Sequence, residues 1–239
     1  MVSKNELKLI TSLHQKKYRN KHQLFIAEGA KGVLELLDSE LQPYKIFKTR
    51  DIDGLPLDKT VQISAGEMKK LSSLKTPSEV LAVFHMPEEK NEKGEGLILA
   101  LDDVRDPGNL GTIIRLCDWF GVSQLLCSEN TVDCYNPKVV QATMGSLARV
   151  QINYVDLENY LGSTDKPIYG AIMEGGNVYD STLAKDAILV MGNESNGISS
   201  SILKKVTNTL SIPRFGSRQT ESLNVATATA ILLSEFRRS

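Results

Sequence analysis

Metal-binding and redox chemistry have little to work with in this chain. Among 239 residues there are only three cysteines and three histidines. Cys117, Cys127 and Cys134 lack metal-ligand spacing and are odd in number, which reads as reduced, buried thiols of a cytosolic protein. His14, His22 and His85 are scattered, so neither a zinc site nor a histidine-based triad is expected. No run of about 18 apolar residues is present, which excludes a membrane-spanning helix. The N-terminal stretch has no apolar core and no small-residue cleavage site, so it does not read as a secretory signal. There is no GxGxxG after a strand and no GxxxxGK[ST], which argues against a dinucleotide-dependent oxidoreductase and against P-loop phosphoryl transfer.

What is present is a globular composition, 41% hydrophobic, with a formal net charge of −1. The near-neutral total conceals an asymmetry. Residues 1–90 carry 15 Lys+Arg against 12 Asp+Glu, and residues 91–239 carry 13 against 17. Within the first 22 residues, Lys4, Lys8, Lys16, Lys17, Arg19 and Lys21 face only Glu6. Such a segment suits contact with phosphates; a solvated helix face is the plainer alternative.

The periodicity divides the chain into two α/β parts. In the first, residues 1–87, a helical spacing over 3–19 leads to a strand at 23–27 and a helix at 31–37. Short strands follow near Ile46 and Val61. Ser64 and Glu67 form a capping box for a helix over 65–71, and 80–85 is a further strand. Residues 88–96 are charged and glycine-containing and read as a linker. In the second part, 97–239, strands are expected at 97–101, 124–127, 168–172, 187–191 and 209–212. They alternate with helices over 110–120, 137–148 and 199–206, which indicates a mainly parallel sheet with helices on both faces.

Ligands of such sheets bind beyond the carboxyl ends of the strands. Three loops lie there. The first runs from Asp102 into NLGTIIR, where Asn109 is placed to cap a helix and Arg115 sits between apolar neighbours. The second, after Met191, is GNESNGI, with Gly192 leaving room for a flat ligand and Glu194 offering a carboxylate. The third, after Ile212, passes through a polar loop to Ser222-Leu223-Asn224 and a helix rich in Ala and Thr. Taken singly, each is also readable as a turn and cap.

Together, NLGTIIR, VMGNESNGI and IPRFGSRQTESLNVATATA resemble, in order and spacing, the motifs of the SpoU (TrmH-type) RNA 2′-O-ribose methyltransferases of the SPOUT superfamily. The segment KKYRNKHQLFIAEGAKGVLELL resembles the ribosomal-protein-like substrate-binding domain that precedes the catalytic domain in several members. The resemblance implies an α/β trefoil knot, S-adenosylmethionine (SAM) as cofactor, an RNA substrate (rRNA favoured over tRNA) and a homodimer; no membrane association and a cytoplasmic location are expected from the missing apolar run and the reduced cysteines. It assigns Asn109, Arg115, Glu194, Ser222 and Asn224 to catalysis and substrate contact, and Met191, Gly192, Ile212, Leu223 and Asn224 to the cofactor. RNA contacts are expected from Lys16, Lys17, Arg19, Lys21, Arg214 and Arg218. A general-base role and a charge-stabilising role for Arg115 both remain open, as does a non-catalytic RNA-binding protein on the same fold.

Overall fold

A computed structural model of the chain describes residues 2–88, 94–216 and 222–238. Arg218 and residues 89–93 of the expected linker lie outside them. The chain forms two compact units, one built from residues 1–88 with 133–149, the other from 89–132 with 150–239.

The first unit opens with α1 (Lys4–Ser12), α2 (Lys16–His22), β1 (Leu24–Glu28), α3 (Ala30–Leu37), β2 (Pro43–Lys48), β3 (Thr60–Gln62), α4 (Ala65–Leu71) and β4 (Val80–His85). The expected single helix over 3–19 is two helices. Leu13 turns inward to full burial, and α2 restarts after an extended Gln15. The box at α4 is present as read, with Ser64 and Glu67 each accepting from the other's backbone N–H. The sheet order is β1-β4-β2-β3, antiparallel but for the β2–β3 pair. Phe47, Leu81, Val83, Met68 and Leu71 of this sheet and α4 pack with Ile10 and Leu13 into one core.

The chain then runs through β5 (Leu97–Leu101), α5 (Pro107–Trp119), β6 (Gln124–Ser128), α6 (Pro137–Thr143), β7 (Gln151–Val155), α7 (Leu157–Gly162), β8 (Ile168–Asn177), β9 (Ala187–Met191), α8 (Ser200–Leu203), β10 (Asn208–Ser211) and α9 (Val225–Arg237). Six strands form one parallel sheet in the order β10-β8-β9-β5-β6-β7. Its central strands β5 and β9 are buried at every position, which explains their unbroken apolar runs. Because all six strands are parallel, the loops after β5, β9 and β10 leave from one edge of the sheet. Helices α5 and α9 pack together. Arg237 fastens their ends by donating from Nε to Phe120 O (2.7 Å) and from Nη2 to Gly121 O (2.8 Å), the two carbonyls just past the end of α5. Among the described residues, no helix is long and apolar enough to cross a membrane.

The segment 133–149, which carries α6, packs with the first unit although it follows the second unit's opening strands. Val139 is fully buried, and Tyr135 stacks at a tilt on Phe25 of β1 with centroids 4.8 Å apart. Asp133 forms an ion pair with Arg19, whose side chain is only 2% exposed and also donates from Nη1 to Leu13 O (2.9 Å). This corrects the reading of Arg19 as an RNA contact: its guanidinium is turned into the unit and occupied there, not offered to a phosphate. Lys17 and Lys21 on the same helix are exposed, as is Lys16, which has a partner within the protein.

Candidate active site

The loop after β5 is tied down at almost every residue. Asp102 donates its N–H to Met191 O (2.9 Å), and its carboxylate accepts from Ser199 N–H (2.7 Å), so the ends of β5 and β9 and the start of α8 are fixed together. Asp103 takes a left-handed backbone (φ 59°), which aspartate tolerates better than most residues. Its N–H donates to Ser128 Oγ (2.9 Å), while its carboxylate pairs with Arg105 Nε (2.8 Å). That pairing, with Glu194 as a lesser neighbour, raises the Arg105 pKa. Asp106 caps α5 by accepting from Asn109 N–H (2.8 Å), with Pro107 at the first helical position. The cap is therefore Asp106, not Asn109, and the helix begins three residues before the expected Leu110. This releases the Asn109 side chain for other work.

The loop after β9 closes on itself. Asn193 and Gly197 exchange backbone hydrogen bonds of 2.9 Å each way, with Gly197 at φ +68°. The Asn193 side chain accepts from Ser195 N–H (2.9 Å) and Asn196 N–H (3.1 Å) and donates to Asp103 O (2.7 Å). Asn193 thus shapes its own loop and clamps it to the first. It was not singled out from the sequence, although an Asn opening a turn closed by Gly four residues later is a recognisable signal.

The second loop also requires Gly192 for its own fold. A Cβ there would lie 2.2 Å from Gly197 C and 2.3 Å from Ile198 N, so the glycine is required by the returning backbone of its own loop. Gly192→Ala is expected to force that loop open, costing about 1–3 kcal/mol as an overpacked site and displacing Glu194. Thermal melting with cofactor titration checks this. Wild-type values for both would contradict the role given to the glycine.

The third loop reaches the other two through its asparagine. Asn224 caps α9, its Oδ1 accepting from Ala226 N–H (2.9 Å) and Thr227 N–H (3.2 Å). Its Nδ2 donates to Asn109 Oδ1 (2.9 Å), and Asn109 Nδ2 donates to Glu194 Oε1 (3.0 Å). Chemistry fixes every amide orientation in this relay. An ionised carboxylate only accepts, so Asn109 must present its NH2 to Glu194 and its oxygen to Asn224. Asn224 must then donate there and keep its oxygen for the helix start. The relay joins residues 85 and 115 positions apart and locks three loops into one arrangement. Among the described residues, Glu194 Oε2 has no hydrogen-bond partner. Glu194 lines an open cleft of about 480 Å³ together with Arg105, Pro107, Asn193 and Ser195.

Other sequence-derived candidates lie around this relay without bonding to it. Met191 is buried at the end of β9, Ile212 is half-buried just past β10, and Ser222 and Leu223 are exposed ahead of the cap, Leu223 at 49%. Ser222 does not cap α9; that role is taken by Asn224. Arg214 is exposed and has a partner within the protein. Arg115 is exposed, six residues along α5 from Asn109, which places it about 9 Å further on and roughly 120° around the helix. It makes no hydrogen bond or ion pair with the described residues. Thr112, Arg115 and Trp119 form one exposed stripe at helical spacing, with Trp119 80% exposed.

The family model for the SpoU rRNA methylases matches residues 96–234, more than half of the chain. The chain belongs to the SpoU rRNA methylase family. A second model, the MRM3-like substrate binding domain, matches residues 4–82. The SpoU chain is 33% identical over 234 residues to 23S rRNA (guanosine(2553)-2′-O)-methyltransferase RlmP of Bacillus subtilis, covering 94% of this chain and 93% of that one. Rather less of a longer protein, rRNA methyltransferase 3 (mitochondrial) of Xenopus laevis, is matched: 32% identity over 161 residues, 61% of this chain and 38% of the relative. Among solved structures, a Porphyromonas gingivalis protein assigned to the TrmH family superposes with a TM-score of 0.90 at 39% identity, covering 100% of this chain and 99% of that one. An AdoMet-bound rRNA methyltransferase from Sinorhizobium meliloti gives 0.86 at 28% identity, covering 100% and 97%. The three loops joined by the relay all fall within the SpoU match.

Proposed function

We propose that this chain transfers a methyl group from SAM to a ribose 2′-hydroxyl of RNA, with rRNA the favoured substrate over tRNA. The observation that carries the reading is the Glu194–Asn109–Asn224 relay, which fastens all three motif loops at one edge of the parallel sheet. The donor set fits the cofactor. Glu194 presents a carboxylate oxygen that has no partner among the described residues and Leu223 a half-exposed apolar surface, while Gly192 and Ile212 are half-buried. When bound there, SAM supplies an electrophilic methyl carbon on a sulfonium.

The remaining work belongs to the chain's own groups. Glu194 and the amides hold the loops rigid, so the reacting hydroxyl is positioned without reorganising them. Arg115 carries a planar guanidinium that donates hydrogen bonds and has no acceptor, which suits it to gripping a phosphate and stabilising a developing alkoxide better than to abstracting a proton. Arg115 lies about 120° around α5 from Asn109, on the stripe that ends in Trp119. We therefore read the enzyme as a homodimer through the second unit, with this stripe of α5 meeting the partner subunit and bringing Arg115 to a shared site. A trefoil knot formed by the run after Ile212, with Ser222 and Leu223 at the cofactor and Arg214 and Arg218 toward RNA, belongs to the same reading. The first unit serves as the RNA-binding module, and the cytoplasm is the compartment of action.

Incubation of the purified chain with methyl-tritiated SAM and bacterial ribosomal or transfer RNA tests the reading. Label is expected in the ribosomal fraction. Cofactor binding with no label in either RNA would turn the account toward a non-catalytic RNA-binding protein.

A further inference from the structure

The first unit contains an open groove of about 620 Å³ between α1 and α2 that the catalytic reading does not use. Its walls follow from helical spacing. Asn5 and Lys8 share one face of α1, with Ser12 one turn further on. Tyr18 and His22, four residues apart, share a face of α2, with Lys21 beside them. Lys8, Lys21 and His22 are exposed, and neither lysine makes an ion pair with the described residues. Among the described residues, no carboxylate lines the groove. Glu6, the sole acid among residues 1–27, is engaged elsewhere. It pairs with Lys45 and accepts from Ser3 N–H, and these bonds hold its carboxyl down at about 2. With Arg19 turned inward against Asp133, the lysines that line the groove are Lys8 and Lys21.

We propose that this groove binds a short single-stranded segment of the RNA substrate, with Tyr18 and His22 stacking on unpaired bases and Lys8 and Lys21 contacting flanking phosphates. This rests on the reading that the chain acts on RNA. Two rings within one turn of each other, between ammonium groups and amides, match the requirements of unpaired nucleotides: flat faces to stack on and a positively charged track for the backbone. An acidic peptide would use the charges but leave the rings and the Asn5 amide without purpose. A duplex would offer the rings no exposed bases.

The test uses the intact chain and a fluorescein-labelled, unstructured 12-nucleotide RNA, with affinity measured over a range of salt. Lys8→Ala/Lys21→Ala should lower the slope of log affinity against log salt by about 1.4, the loss of two single-strand phosphate contacts. Tyr18→Leu should weaken binding at least about fivefold with the slope unchanged, the signature of lost stacking. Melting curves and SAM affinity should match wild type for the lysine pair, whose side chains are on the surface, so that arm stands if Tyr18→Leu fails to fold. Unchanged affinity and slope in the lysine pair would overturn the groove, and so would displacement of the RNA by poly-aspartate from wild type and the Tyr18→Leu variant equally. Methyl transfer is read separately. An intact transfer with no groove effect sinks this proposal alone, whereas the expected slope change with no transfer leaves the groove standing and sinks the catalytic reading.

Discussion

Arg115→Ala is expected to reduce methyl transfer to RNA at least about a hundredfold while leaving SAM affinity within a few fold. The size follows from what one preorganised donor aimed at developing charge contributes, roughly 10²–10³ in rate. The selectivity follows from the placement of the residue. Arg115 is exposed and bonds to none of the described residues, whereas α5 is anchored by Leu110, Ile113, Ile114 and Cys117 on its opposite side, all fully buried. Removing the guanidinium leaves that packing and the Asn109–Glu194 bond untouched. Single-turnover transfer at saturating SAM, beside calorimetric titration of SAM, separates the two effects. Arg115→Lys keeps the charge but loses the planar fork, so it should recover only part of the rate. Normal turnover by Arg115→Ala would remove the residue from the site.

Asp133→Ala is expected to cost the first unit about 3–5 kcal/mol, a larger loss of stability than Gly192→Ala should cause. The substitution strands Arg19, 2% exposed, with a buried charge and, among the described residues, Leu13 O as its one remaining partner. Replacing both partners, as in Arg19→Met/Asp133→Leu, removes the charge along with its partner and should cost much less than either single change. Urea unfolding of the three variants measures this. An RNA-contacting Arg19 would behave in the opposite way, with Arg19→Ala changing the salt dependence of RNA binding and leaving stability alone. The same geometry bears on truncation. Deleting residues 1–90, as the sequence division suggests, would take away β1 and Arg19 and leave Asp133, Tyr135 and Val139 without the partners they pack on. Point substitutions in the groove are therefore the sounder probe of RNA binding.

These cases indicate where sequence reasoning succeeds. Features set by neighbours within a few residues were legible, such as the Ser64–Glu67 box and the unbroken apolar runs of β5 and β9. The helix start at Pro107 was missed because Asn109 and Asp106 are both good caps, and the choice between them depends on what else Asn109 can bond. Strand β7 was missed because it lies at the sheet edge, where its burial is partial and Asn153 is its one buried residue. There Asn153 Oδ1 accepts from Gln124 Nε2 of the neighbouring strand (3.3 Å). The return of 133–149 to the first unit rests on partners distant in sequence, among them Phe25 under Tyr135 and an ion pair spanning 114 positions, which no local pattern encodes. In the site, the residue types of Asn109, Glu194 and Asn224 were readable from their motifs, but their mutual bonding was not. Asn193, the residue that shapes the second loop, was hidden by its more conspicuous neighbour Glu194.

The central claim is that the three loops form one site for placing a methyl group on a ribose oxygen. Nuclease digestion of RNA labelled by the purified chain, followed by mass spectrometry of the nucleosides, tests it most directly. The account predicts a single 2′-O-methylated nucleoside, resistant to alkaline cleavage on its 3′ side and absent with Arg115→Ala. Label recovered on a base, with the ribose unmodified, would contradict it.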